Sequence, residues 1–363
     1  MTAADSPGSQ GPHPNQEALK AALRECAALQ PVPVGETPRQ VVRELPPATL
    51  YHYPSEPEGS APTTGKRPLL VLYSLVNRPY LLDLSPQRSM IRSARDAGLP
   101  VYLLDWGRPE PADRFLGLDD YLNDTLHQAI VELSKRYQGQ PVDLLGVCQG
   151  GTFALCYAAL EPARVGRIAT LATPVDFHTP EDTLSGLARD LQLDLAVETL
   201  GNIPADLLNL VFISLKPAEL LSRRYLEQLP QLRARPDALR EFLRMERWMY
   251  DSPDLGGQVF LEFVRAFYQD NALTRGRLRI GERPVDLSRL HHPVYNAYAT
   301  RDHLVPAAAA AALARLLPAA VDYQEEAIPG GHLGVMLSRK ARQGLHQRLW
   351  QWLAQPLPSP ARR

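Results

Sequence analysis

Gly146-Val147-Cys148-Gln149-Gly150-Gly151 is the stretch on which the reading of this chain turns. It follows the apolar run Val142 to Leu145 and precedes Thr152-Phe153-Ala154-Leu155, a plausible helix. A strand, a sharp turn with a nucleophilic residue at its tip, and a helix, with glycine two residues either side of the tip, form the nucleophile-elbow pattern, here with cysteine in place of serine. Glycine is required at both flanks because so sharp a turn leaves no room for a side chain there. At the helix N-terminus the sulfur feels the positive end of the helix dipole, which favours thiolate. The first amides of that helix, chiefly that of Gln149, point where an oxyanion would form. A buried structural cysteine in a glycine-containing turn is the competing reading, but glycine spacing, preceding strand and following helix all agree on the nucleophile. Cys156, two turns further along, and Cys26 have no such context and read as packing residues.

Outward from the elbow, apolar and partly β-branched runs alternate with amphipathic segments from about Val41 to Pro174. That alternation predicts a mostly parallel sheet covered by helices on both faces. Strands are expected at Thr49 to Tyr53, Leu69 to Leu75, Val101 to Leu104, Val142 to Val147 and Arg167 to Leu171. Ser85-Pro86 reads as an N-cap with proline at the first helical position, and Gly98 closes that helix. Leu118, Leu122, Leu126, Ile130 and Leu133 fall on one face of a second helix. Between about Val175 and Leu290 the strand rhythm stops, and six of the eight phenylalanines lie there. This stretch predicts a helical cap inserted into one domain, its aromatic surface buried in a small core or over a cleft. The sheet rhythm resumes at His292 to Thr300 and Ala320 to Glu325, followed by a last helix from Ser338 to Ala354. The expected organisation is a disordered N-terminus plus short helix at 1–40 (apolar stripe Leu19, Leu23, Cys26, Leu29), core at 41–174, cap at 175–290, core at 291–354 and a tail at 355–363.

An elbow nucleophile on such a sheet is followed in chain order by an acid after a late strand and a histidine after the last one; this is the α/β-hydrolase fold. Asp302, in Ala299-Thr300-Arg301-Asp302-His303-Leu304-Val305-Pro306, and His332, in Ile328-Pro329-Gly330-Gly331-His332-Leu333-Gly334, fill those places. Histidine takes up a thiol proton near neutral pH and returns it, while the acid holds its tautomer. His303 is expected to adjoin the site without reacting. A second oxyanion donor is expected from the loop Leu75-Val76-Asn77-Arg78-Pro79, at the backbone amide of Val76. A thiol nucleophile yields a thioester, which keeps the acyl group at high transfer potential and so points to acyl transfer without excluding hydrolysis.

Composition narrows the remaining classes. Lysine plus arginine (39) nearly balances aspartate plus glutamate (40), so no general pull toward nucleic acid or anionic membrane is expected. With three cysteines no disulfide framework is implied, and a reducing, cytoplasmic setting is expected. The N-terminus lacks a basic segment followed by an apolar one, so no signal peptide is expected. The alanine-rich stretch Ala307 to Val321 is too short to span a bilayer, and no phosphate-binding glycine loop or metal-ligand cluster occurs, so neither metal nor resident cofactor is implied.

The ordered set of motifs resembles the poly(3-hydroxyalkanoate) synthases, specifically the short catalytic subunits of the class III type. The resemblance spans roughly Val41 to Ala354. It rests on Leu75-Val76-Asn77-Arg78-Pro79-Tyr80, Leu104-Asp105-Trp106-Gly107, the elbow, Trp248-Met249-Tyr250-Asp251-Ser252-Pro253-Asp254, Asp302-His303-Leu304-Val305-Pro306 and Pro329-Gly330-Gly331-His332. It implies an enzyme that polymerises (R)-3-hydroxyacyl-CoA, typically 3-hydroxybutyryl-CoA, at the surface of polyester granules and releases CoA, which enters as substrate. Carried over by motif, Cys148 holds the growing chain, His332 activates the cysteine, and Asp302 assists His332 or the substrate 3-hydroxyl. A second, non-catalytic subunit and a homo-oligomer are the implied partners. The seven arginines from Arg223 to Arg247 are candidates for the CoA phosphates, or else a solvated helix face. Two other readings remain: a cysteine hydrolase of the dienelactone hydrolase or thioesterase type, and a non-catalytic granule-associated protein.

Overall fold

Eight strands make the central sheet: β1 (Gln40–Leu45), β2 (Ala48–Tyr53), β3 (Leu69–Leu72), β4 (Val101–Asp105), β5 (Val142–Val147), β6 (Val165–Leu171), β7 (Val294–Ala299) and β8 (Tyr323–Ile328). They lie in the order β1-β2-β4-β3-β5-β6-β7-β8. β2 runs antiparallel to both neighbours and all later pairs are parallel. The computed structural model describes residues 32–55, 66–232 and 235–358, so the helix expected at Leu19 to Leu29 lies outside it.

Period-two alternation sorts the strand side chains to two faces. Leu70, Leu72, Tyr102, Leu104 and Leu144 pack with helices α2 and α3 below, whereas Leu69, Val71, Val101, Leu103, Leu145 and Val147 pack with α1 and α9. Because both faces are covered, β3 to β7 are mostly apolar rather than alternating, and every residue in them is buried, including the polar Asp105, Asp143, Arg167, Thr170 and Asn296. The covering helices are α1 (Met90–Asp96), α2 (His127–Arg136, entered through a wider turn at Asp120–Leu126) and α3 (Gln149–Leu160). Between β6 and β7 come α4 (Thr183–Arg189), α5 (Leu193–Leu200), α6 (Ala205–Ser214), α7 (Pro236–Tyr250) and α8 (Gly257–Phe263). The last helix is α9 (His346–Leu353). Part of the aromatic surface of the inserted segment forms a core: Phe263 stacks on Phe267 at 4.5 Å, and both meet Phe177, while Phe242 and Tyr225 pack in a separate small cluster. Phe263 also meets Phe153 of α3 edge-on at 5.8 Å, so this core rests on the nucleophile helix itself.

Several sequence expectations shift. β1 was not anticipated; its burial pattern is mostly half-exposed, as befits an edge strand, and carries little apolar signal. Ser85-Pro86 does not open a helix. Asp83–Ser85 and Arg88–Ser89 pair as a short hairpin, Pro86 and Gln87 form its turn, and the cap of α1 is Ser89, whose hydroxyl accepts the Arg92 amide at 2.9 Å. β3 ends at Leu72, three residues early, and the last strand starts at Tyr323, not Ala320, because Val321 closes a turn onto Pro318.

Candidate active site

The elbow forms where β5 ends. Cys148 has φ 53 and ψ −126, a strained conformation for a non-glycine residue, held by its amide donating to Leu171 O at 2.8 Å and its carbonyl accepting the Gly151 amide at 2.9 Å. The flanking glycines are required by contact: a Cβ on Gly146 would lie 2.2 Å from Gly151 Cα, and one on Gly150 2.2 Å from Leu72 O. Cys148 stays partly exposed, whereas Cys156 is fully buried and its thiol is pushed up by that burial.

His332 and Asp302 meet this sulfur from the loops after β8 and β7. His332 Nδ1 is 2.7 Å from Asp302 Oδ2, and the Cys148 side chain is close enough to act on the same ring. The other oxygen, Oδ1, accepts the amides of Leu304 and Val305 at 2.9 and 3.0 Å. A carboxylate can only accept here, so Nδ1 carries hydrogen and Nε2 is turned to the sulfur. Burial alone would lower the histidine, but the Cys148 sulfur and the Asp302 carboxylate outweigh it and raise the imidazolium to about 10. His303 sits half-buried next door, its charged form disfavoured by burial and by Lys216.

The two expected oxyanion donors differ in standing. Gln149 opens α3, where the first amides have no partner within the helix. The Val76 amide donates instead to Ser74 Oγ at 3.1 Å. Ser74 Oγ in turn donates to Gln149 Oε1 at 3.2 Å, and the Leu75 amide donates to the same oxygen at 3.0 Å. The side chain after the nucleophile thus holds the loop in place, a role that backbone-pattern reasoning could not see. Trp106 Nε1 adds a bond to Tyr73 O at 2.9 Å, and Arg78 reaches Asp105 Oδ2 at 3.0 Å. Tyr73 and Tyr268 were not singled out by sequence. Burial first, then Cys148 for Tyr73 and Asp182 and Cys148 for Tyr268, pushes both hydroxyls above the ordinary tyrosine value.

The arginine cluster is largely engaged. Arg224 pairs with Glu246, Arg240 with Asp237 and Arg244 with Glu241, while Arg244 and Arg247 donate to Pro33 O and Val32 O at 2.9 and 2.8 Å. Arg233 lies outside the described residues, and Arg223 pairs loosely with Glu227 at 3.8 Å. Arg224, Arg244 and Arg247 tie α7 to its neighbours, and Arg240 pairs within it, so these four already have protein partners. Among the described residues no group of three or more His, Cys, Asp or Glu is placed to hold a metal, and no helix is long and apolar enough to cross a membrane.

Comparisons with known proteins fall in line with this geometry. The family model for the alpha/beta hydrolase fold matches residues 68–338. The poly(3-hydroxyalkanoate) polymerase subunit PhaC of Allochromatium vinosum is 44% identical over 322 residues, covering 89% of this chain and 90% of that protein. The proteins of the same name from Thiocystis violacea and a Synechocystis species are 42% and 41% identical, covering 89% of this chain and 89% and 86% of theirs. Among solved structures, the monoacylglycerol lipase of Paleococcus ferrophilus superposes with a TM-score of 0.50 at 15% identity, covering 80% of this chain and 96% of that one, a likeness of fold alone.

Proposed function

From a chain that belongs to the poly(3-hydroxyalkanoate) polymerases, built on the α/β-hydrolase fold, we infer a polyester synthase that works through a Cys148 thioester. The observation that carries this reading is the His332–Asp302 hydrogen bond beside Cys148 at a strained elbow. The substrate class is (R)-3-hydroxyacyl-CoA, most simply 3-hydroxybutyryl-CoA.

Each step balances on these residues. The Cys148 sulfur attacks the thioester carbonyl of an acyl-CoA; the carbon–sulfur bond to CoA breaks, and the proton held on His332 passes to the departing thiolate. The 3-hydroxyl of the next acyl-CoA then gives its proton to His332 and attacks the Cys148 thioester, forming an ester and freeing the sulfur. Return of the lengthened chain to Cys148 releases one CoA per unit added. Asp302 keeps Nδ1 protonated throughout, so Nε2 remains the proton carrier. The amide of Gln149, with that of Val76 once turned from Ser74, receives the developing oxyanion. The aromatic core around Phe177 and Phe263 supports a dry acyl site, which an alcohol acceptor needs if water is not to compete.

The relatives are named as subunits, and a second, non-catalytic subunit belongs to the proposal, as do work at the surface of polyester granules and assembly of more than one copy. The test is to incubate the purified protein, with its partner subunit, with (R)-3-hydroxybutyryl-CoA and to follow free thiol and insoluble polymer together. Both should rise in step. CoA release that yields only free 3-hydroxybutyrate would make the protein a thioesterase.

A further inference from the structure

The loop that leaves β3, from Ser74 to Tyr80, is gripped from two sides. On the core side, Gln149 Oε1 takes the Leu75 amide and the Ser74 hydroxyl, as described above. On the other side stands one short stretch, the end of α7 and the residues after it. Trp248 Nε1 donates to Arg78 O at 2.9 Å, the Tyr80 hydroxyl donates to Asp251 Oδ2 at 3.0 Å, and the Ser252 hydroxyl bonds Asn77 Oδ1. Arg108 closes the network by reaching Asp251 and, at 3.4 Å, Ser252 O.

Asn77 is the point where this grip matters. Its φ is 65, the left-handed region that a non-glycine residue keeps only when its surroundings hold it there. What holds the Asn77 side chain is Ser252, itself 8% exposed and also 3.3 Å from Asn209 Oδ1 of α6. One hydroxyl proton serves one oxygen, so one of the two carboxamides turns its Nδ2 to Ser252. Asn77 adjoins Val76, whose amide must leave Ser74 Oγ before it can face an oxyanion.

We infer that Ser252, acting through Asn77, is a positioning residue for acyl transfer: the seat of the inserted helices on the core sets how the Val76 amide is presented to the reacting carbonyl. This rests on the acyl-transfer reading and extends it to what couples those helices to the oxyanion site. Acyl transfer is fully competent only while the 248–252 stretch is seated. A chain that lost this seating would keep a reactive thiol but lose the donor.

The experiment compares wild type, Ser252→Ala, Asn77→Ala and the double variant in two reactions. CoA release from (R)-3-hydroxybutyryl-CoA passes through an oxyanion. Alkylation of Cys148 by iodoacetamide is displacement at saturated carbon and forms none. Ser252→Ala should lower kcat by about tenfold to a hundredfold, with KM changed by less than about threefold and alkylation no slower than in wild type. Ser252→Ala in the Asn77→Ala background should add less than about a twofold further loss, because the two act in series. A kcat within about twofold of wild type, alkylation slowed in parallel with kcat, or losses that multiply in the double variant would each overturn the inference. Wild type and Cys148→Ala serve as the separate check on the parent reading. If wild type releases no CoA, acyl transfer itself fails; if only the Ser252 results disagree, positioning alone fails.

Discussion

Replacing Asp302 by asparagine should disable the enzyme by reversing one hydrogen bond. Oδ1 of Asp302 accepts two backbone amides, from Leu304 and Val305, at 2.9 and 3.0 Å. In Asp302→Asn those amides demand the carbonyl oxygen at that position, so the new Nδ2 must occupy the place of Oδ2, 2.7 Å from His332 Nδ1. It would then donate to a nitrogen that now donates to it. His332 can answer only by moving its hydrogen to Nε2, which points a proton at the Cys148 sulfur and leaves the ring unable to take one. The negative charge that helps raise the histidine to about 10 is lost as well. Both effects act on the chemical step, so kcat should fall on the order of 10³- to 10⁴-fold, about 4 to 5.5 kcal/mol of transition-state stabilisation, with KM little changed. The asparagine keeps the shape and the two backbone bonds, so the urea midpoint should stay near that of wild type. The assay is initial CoA release, with iodoacetamide alkylation of Cys148, which should slow because its histidine cation is gone. A folded Asp302→Asn protein within about tenfold of wild type would refute the assignment of Asp302 as the partner that sets the His332 tautomer.

Gly150→Ala puts a Cβ 2.2 Å from Leu72 O and 2.7 Å from Tyr73 O, so the end of β3 must give way; urea unfolding should report a loss of about 1–3 kcal/mol, accompanied by a fall in activity, and an unchanged midpoint would count against the contact. His292 and His346 each bond a carbonyl through Nε2, at 2.9 and 3.1 Å, while Nδ1 is buried without a partner. Burial accordingly lowers both to about 4. Their stabilising contribution is whole above pH 6.5, and it is lost as pH falls toward 4 because the unfolded chain takes up protons the folded one refuses. At the limit this is roughly 3 kcal/mol for each, and His292→Gln, which keeps a donor and cannot titrate, should flatten the fall in urea midpoint between pH 7 and 5; an unflattened profile would show that other groups set it. Ser89→Ala removes the cap of α1 and should cost about 1 kcal/mol in the same unfolding measurement with no change in KM.

How much of this was legible beforehand follows from the range of the interactions involved. The elbow was readable because its constraint is local: two glycines, a strand and a helix within a dozen residues enforce one turn, and the 2.2 Å contacts at Gly146 and Gly150 are that constraint in space. Asp302 and His332 were readable because chain order on a parallel sheet fixes which loops converge, and β7 and β8 deliver them side by side. The Ser85-Pro86 cap misled for the opposite reason. Proline after serine suits a hairpin turn as well as a first helical turn, and the choice was made by Leu84 and Ser89, which fit the buried hairpin leading into α1.

What no local pattern could carry was the set of side chains that work at long range on backbone. Gln149 was chosen for its amide, yet its carboxamide oxygen, which binds a loop 74 residues earlier, is what holds the expected oxyanion loop in place. The arginines between 223 and 247 look like a basic face because sequence lists charges without their partners; Arg224, on the preceding helical segment Ala218–Gln228, is matched to Glu246 of α7, and Arg244 to Glu241 within α7. The consequence bears on function. A triad at an elbow is compatible with hydrolysis and with polymer transfer alike, since the proton path through His332 is the same for water and for a 3-hydroxyl. On the acyl-transfer reading, what separates the two outcomes is whether water reaches the acyl sulfur, and that reading makes the packing of the inserted helices on Phe153 and through the Trp248–Ser252 stretch the barrier to test. Loosening that seat should therefore raise the share of free acid among the products before it abolishes CoA release, a ratio that product analysis of Phe263→Ala reads directly.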